Sequence, residues 1–126
     1  MSAMTVEYLG ARIFLDEIGA AGKIWVARSS LNSIYAVSID RAGFSLPVWS
    51  SSERSAEYLK NARLVGPKYE PHAVAVEVFT AGWLSDQRKA IVELQINPDG
   101  KSARALVMSP DEFRAAQEKN PGTGAG

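Results

Sequence analysis

Ile91-Val92-Glu93-Leu94-Gln95-Ile96-Asn97-Pro98-Asp99-Gly100, with the return run Ala103 to Met108 and then Ser109-Pro110-Asp111-Glu112, decides the fold. Residues 91–97 alternate, so Val92, Leu94 and Ile96 face one way along a strand. Pro98-Asp99-Gly100 is a turn, because proline presets φ and glycine accepts a positive one. Ala103 to Met108 then returns as the partner strand. Ser109 to Glu112 forms a capping box, with Pro110 at the first helical position where its missing N–H costs nothing. Phe113 and Ala116 supply the apolar anchor of that last helix. A hairpin running directly into a capped helix sets the class as mixed α+β.

Upstream, residues 4–20 read as a helix with Val6, Leu9 and Ile13 on one face. Phe14, Leu15 and Ile18 widen its apolar surface, and Gly19 and Gly22 supply the stop. Lys23 to Arg28 is a short apolar run suited to a central strand buried on both faces. Ser29 to Ser33 is a hairpin loop, residues 34–39 a second strand, and Arg41-Ala42-Gly43 a turn. Phe44 to Trp49 is a third strand, demoted towards an edge or end position by Pro47. Ser50 to Glu53 reads as another capping box, with Ala56, Leu59 and Ala62 at helical spacing behind it and Gly66-Pro67 as its close. Ala73 to Val76 is a brief strand, and Val78 to Lys89 a helix with Phe79 and Trp83 at i, i+4, with continuous strand through Phe79 as the rival reading. The expected architecture is one α+β domain over residues 1–119, with five to six strands in a mixed or antiparallel sheet against three to four helices. Residues 120–126 read as a disordered tail.

Composition limits function. The 126 residues are 46% hydrophobic and 22% charged, the balance of a globular domain. No cysteine is present, which excludes disulfides and thiolate metal sites. Fourteen basic and fourteen acidic residues give a net charge of +0, and no basic run exceeds Arg88-Lys89, so phosphate neutralisation on nucleic acid is not expected. The first residues lack the basic and apolar regions of a secretory signal, and no apolar stretch approaches the ~20 residues that span a bilayer. The expectation is a cytoplasmic protein with no membrane or nucleic-acid partner.

Two groups of motifs carry a family resemblance. Gly22-Lys23-Ile24-Trp25 after a helix, Leu46-Pro47-Val48-Trp49-Ser50 opening another, and the Phe79 to Trp83-Leu84 spacing resemble a bacterial family, domain of unknown function 2750. Leu46 to Leu59, and Asn97-Pro98 through Ser109-Pro110-Asp111-Glu112, also look like the SseB (enhanced serine sensitivity) type of domain. The resemblance spans residues 14–116 and implies a compact bacterial α+β domain. It brings no catalytic residues, because the first family has no assigned activity and the second implies secretion-related and interaction contexts.

The candidate sites are few. His72 is the only histidine, with Glu70 and Glu77 as its nearest carboxylates in sequence. Asp16-Glu17 reads as a solvated helix face, since neighbours at i, i+1 point apart. Asp111-Glu112 is accounted for by the helix dipole. Serines at 29–30 and 50–52 lack a nucleophile elbow. Gly122 to Gly126 has no helix after it to bind phosphate. Neither catalytic residues, metal ligands nor a cofactor are therefore assigned. Trp25 reads as core. Trp49, Tyr69 and Trp83 are the candidates for a partner contact, because these aromatics are enriched at binding hot spots, although an aromatic stripe usually faces inward. The leading expectation is a non-enzymatic interaction or regulatory domain with a protein partner, in one form an immunity-type protein that binds a toxin. The alternative is a small-ligand binder or enzyme using His72 with Arg63 or Arg88.

Overall fold

Gly22 sets the first boundary of the chain. In the computed structural model, which describes residues 6–39, 43–102 and 105–119, helix α1 (Val6–Ala21) stops where Gly22 takes φ 72°. The Gly22 N–H donates to the Ile18 carbonyl at 2.7 Å, and the absence of a Cβ makes that left-handed stop cheap. Gly19 lies inside the helix instead of ending it. Of the wide apolar surface expected, only the Phe14 and Ile18 side turns inward. Leu9 and Ile13 are each 49% exposed, while Phe14 and Ile18 are fully buried with Ala11 and Leu15 beside them. Both stripes have helical spacing; the one that meets Phe113, with ring centroids 6.4 Å from Phe14, is the one the core takes.

Strand β1 (Lys23–Ser29) pairs antiparallel with β4 (Tyr69–Ala75), from Lys23 opposite Ala75 to Ser29 opposite Tyr69. A second sheet runs β2 (Val37–Ile39), β3 (Gly43–Val48), β5 (Ile91–Ile96), β6 (Leu106–Met108), with β3 and β5 parallel and the other pairs antiparallel. Reciprocal 2.9 Å hydrogen bonds between the Trp25 and Trp49 backbones tie the two sheets together. With helices α2 (Ser52–Asn61), α3 (Val76–Val78) and α4 (Pro110–Lys119), the described residues form a mixed α+β fold of six strands and four helices in the expected order.

β3 is interior, between β2 and β5, despite Pro47. Val48 turns its carbonyl to β5, accepting from the Asn97 N–H at 2.9 Å, so its neighbour Pro47 faces the other way. On that side the pairing with β2 has already ended at Val37 opposite Ser45. Proline there removes no ladder bond, so of the two expected positions, edge or end, it takes the end of an interior strand.

Side chains alternate between two cores. Ile24 and Val26 of β1 join Phe14, Ile18, Leu46, Val48, Leu94, Ile96, Phe79 and Phe113 in the main one. Ala27 joins Trp49 and Leu59 under α2, with Trp25, Tyr35, Tyr58 and Tyr69 packed around them. β1 is thus buried on both faces, as expected of a central strand. In α2 the inward residues are Ser55 and Leu59, while Ala56 is exposed and Ala62 is the C-cap. Gly66-Pro67 forms a separate 3₁₀ turn (Gly66–Lys68) that leads into β4.

The closing hairpin follows its sequence closely. Leu94 and Ile96 are buried, although Val92 is 39% exposed. Gly100 takes φ 78°, and the Asp99 carboxylate accepts from the Lys101 and Ser102 N–H groups, both at 2.8 Å. The last helix is capped reciprocally: Ser109 Oγ accepts from the Glu112 N–H at 3.1 Å, and Glu112 Oε1 from the Ser109 N–H at 2.8 Å. The start of the helix expected at residues 4–5, the Arg41-Ala42 turn, the Ala103 start of the return strand and the tail from Asn120 lie outside the described residues. Among the described residues no helix is long and apolar enough to cross a membrane.

Candidate functional site

The segment after β4 departs most from its expected form. The helix starts earlier and is shorter than 78–89: α3 covers Val76–Val78 and passes into a π-helical turn, Phe79–Trp83. The widened turn is closed by the Leu84 N–H donating to the Phe79 carbonyl at 3.1 Å, five residues back. Thr80 Oγ1 also donates to the Val76 carbonyl at 2.8 Å. Turns of this kind are rare and concentrate at functional sites. Here the turn fixes Phe79 in the core and Trp83 half-buried above it, with ring centroids 5.7 Å apart. Phe79 is itself held edge-on against Phe113 at 5.7 Å.

From Leu84 the chain turns back to β5. Asp86 Oδ1 accepts from the Arg88 N–H at 3.0 Å, and the Lys89 N–H donates to the Asp86 carbonyl at 3.0 Å. This places Lys89 Nζ 5.2 Å from the centroid of the Trp83 ring, within cation–π range. Ala90 then takes φ 51°, an unfavourable left-handed conformation for a residue with a Cβ. Its carbonyl accepts from the Phe44 N–H at 2.8 Å. Gly43 makes this approach feasible: it sits at φ 136°, and a Cβ there would lie 2.4 Å from the Ala90 oxygen.

These elements enclose an apolar groove of about 220 Å³ over the paired starts of β3 and β5. Trp83 and Lys89 form one wall, Phe44, Leu46 and Ile91 the floor, and Ile34 and Ala36 the far side. Phe44 is 40% exposed, so the groove opens to solvent.

A polar joint occupies the other end of β3 and β5. Arg54 of α2 grips Glu17 of α1 with two hydrogen bonds, Nε to Oε1 and Nη2 to Oε2, each 2.9 Å. Ser50 Oγ donates to Glu17 Oε1 and accepts from Asn97 Nδ2 at 3.1 Å. Asn97, left-handed at φ 47°, also takes the Ser50 N–H on Oδ1 at 2.9 Å. The Arg54 guanidinium first, and the Ser50 hydroxyl second, hold the Glu17 carboxyl below the usual carboxylate range. Ser50 is therefore not the helix cap: Ser51 is, accepting from the Arg54 N–H at 3.1 Å. A cleft of about 460 Å³ borders this joint between Ile13, Arg54, Asn97 and Leu106. Arg54 is already committed to Glu17, and Ser50 has filled its donor and acceptor roles, so the joint clamps α1, α2 and β5 without a spare reactive group.

Of the three aromatics expected at a contact surface, Trp83 alone borders the groove. Trp49 is fully buried, with Nε1 donating to the Pro98 carbonyl at 2.8 Å. A side chain with no accessible surface has nothing to offer a partner, so Trp49 is corrected to core. Tyr69 is half-buried, edge-on to Tyr35 at 5.4 Å, on the far side of β1 under α2. Within the same cluster, burial, with Tyr35 adding to it, pushes Tyr58 up to about 12. Trp25, expected in the core, is partly buried against this cluster.

His72 sits in β4 opposite Val26, and neither the Trp83 groove nor the cleft beside the Glu17 joint is lined by His72, Arg63 or Arg88. Arg88 pairs locally with Asp86 at 3.4 Å. Among the described residues no group of three or more His, Asp or Glu side chains is placed to hold a metal ion.

Fold and groove define a small α+β domain of two sheets packed with helices and an aromatic-walled notch over the inner strands β3 and β5. Residues 11–116 match the model of the family described as Protein of unknown function (DUF2750), and the chain belongs to that family. A search of curated proteins gave no match. The SseB-type likeness rests on its short motifs alone.

Proposed function

We propose that this protein is a non-enzymatic interaction domain that works in the cytoplasm and receives a partner protein at the Trp83 groove. The observation that carries this reading is the half-buried Trp83, set by a π turn against an open apolar notch beside a 40% exposed Phe44. Aromatic anchors beside a small apolar pocket are the usual centre of binding energy at protein interfaces. The volume supports a protein partner. About 220 Å³ is below the ~300–1,000 Å³ of small-molecule sites, and is enough for one inserted side chain. The even charge balance supports a partner other than nucleic acid or an anionic membrane. In its more specific form the domain is an immunity-type protein and the partner a toxin.

A photo-crosslinking residue placed at Phe44, in cells of the native host, tests the reading. It is expected to capture one discrete protein, whereas the same probe at the 89% exposed Leu64 is expected to capture none. Equal capture at both positions would sink the reading.

A further inference from the structure

The far wall of the groove borders a second hollow, and the two together have a charge of their own. Ile34 belongs to that wall and bridges Arg28 of β1. Residues directly opposite in an antiparallel pair share a face, with Cβ atoms about 5 Å apart. The alternation along β1 agrees, since Arg28 lies two residues beyond Val26, on the face that meets the main core, and Ile34 packs on that same core. Arg28 therefore stands beside the groove, across Ile34 from its floor. With Lys68 and Ser33, the residue before Ile34, it lines a hollow of about 570 Å³ at the end of the β1–β4 pair.

Charge supplies the second argument. Glu70 lies opposite Arg28 on β4, yet no carboxylate of the described residues is within ion-pair distance of the guanidinium. Among the described residues the two hollows are lined by three cations, Arg28, Lys68 and Lys89, against the single carboxylate of Glu70. Other hollows differ. The cleft beside the Glu17 joint balances Arg54 with Asp99, and the hollow between α1 and α4 sets Glu77 and Glu118 against Arg114. In a chain of net charge +0, the apolar groove is thus flanked by a local positive excess. A partner that covers such cations without a counter-charge strips their hydration uncompensated, so the complementary surface is acidic.

We propose that the partner segment seated at Trp83 carries one apolar side chain, which fills the notch beside Phe44, and a carboxylate that passes over Ile34 to the Arg28 guanidinium. Arg28 is preferred to Lys89 as the receiving cation because Lys89 is engaged over the Trp83 ring, and because a guanidinium takes a carboxylate through two parallel hydrogen bonds. The inference rests on the interaction reading and adds the chemistry of the partner.

The photo-crosslinking residue at Phe44 supplies the probe. The segment it captures is mapped by mass spectrometry. The captured protein is then produced whole, native and with each Asp or Glu of that segment changed in turn to Asn or Gln. All forms are titrated against the full chain and its Arg28→Gln, Arg28→Lys and Lys23→Gln variants, with every fold checked by circular dichroism. One of the amidated forms is expected to bind the wild-type chain about two- to fivefold more weakly than the native form, the range of a single exposed ion pair. That loss is expected to vanish with Arg28→Gln and to persist with Arg28→Lys. It should also persist with Lys23→Gln, an exposed change at the other end of β1.

A mapped segment without an acidic residue, or losses equal for the wild-type and Arg28→Gln chains, would overturn the acidic assignment and leave the interaction reading standing. Equal capture at Phe44 and Leu64 would instead remove the interaction reading, and this inference with it.

Discussion

Trp49→Phe is expected to destabilise the protein by about 2–4 kcal/mol, and the structure supplies each part of that figure. Trp49 has 0% exposure, so the lost part of the indole comes wholly from the interior. Phenylalanine buries roughly 40 Å² less, or about 1 kcal/mol at ~25 cal/mol per Å². The Nε1–H bond to the buried Pro98 carbonyl, 2.8 Å long, disappears as well. An acceptor left without its donor inside a protein costs about 1–3 kcal/mol. The Trp25–Trp49 backbone pair is untouched, so the cost is one of packing and satisfaction, not of topology. In a domain of this size that is a fall of roughly 8–20 °C in Tm. Urea unfolding followed by near-ultraviolet circular dichroism would measure it at 25 °C. Trp83→Phe, half-exposed and without an indole hydrogen bond among the described residues, is the control and should cost less than about 1 kcal/mol. A Trp49→Phe cost below that of Trp83→Phe would refute the placement of these two side chains.

Two further expectations concern the joint and the groove. Glu17→Gln should cost about 0.5–1 kcal/mol at pH 7, a range kept small because Glu17 and Arg54 are both more than a third exposed. The folded pKa of Glu17 lies below its unfolded value, so the pair's contribution is whole above the ordinary carboxylate range and fades as pH falls through the folded pKa. The gap between variant and wild type in denaturant titrations should narrow as pH falls below the ordinary carboxylate range, and a gap that widens there would contradict the pairing. Gly43→Ala should cost about 2 kcal/mol or more, because φ 136° is strained for any side chain and the new Cβ meets the Ala90 oxygen. Thermal unfolding would measure it, and a neutral substitution would mean that Gly43 does not approach Ala90 as described.

What the sequence disclosed, and what it hid, divides along the range of the interactions. The Ser109 capping box and the Pro98-Asp99-Gly100 turn are closed by partners within three residues, and both form as the spacing implies. Ser50 and Ser51 are equivalent candidates for a cap when seen along the chain. Glu17 and Asn97, 33 and 47 residues away, draw Ser50 into the joint and leave the cap to Ser51. Pro47 signals an edge only if both sides of its strand are paired along its whole length, and pairing with β2 stops short. α1 offers two stripes of equal periodicity, and only contact with Phe113 separates them. The notch at Trp83 depends on a π turn, which no hydrophobic period announces, and on a left-handed Ala90 bonded to a distant strand. Trp83 was therefore legible as a candidate, while Phe44, Lys89 and Gly43 were not.

Affinity purification of the full chain from its native host, wild type beside Trp83→Ala and with the fold of each checked by circular dichroism, tests the central claim most directly. The groove account predicts a stoichiometric protein with the wild type that is lost from Trp83→Ala. It also predicts that the protein is retained by Lys60→Ala, an exposed change at the end of α2. A partner that follows the Trp83→Ala variant undiminished would contradict it.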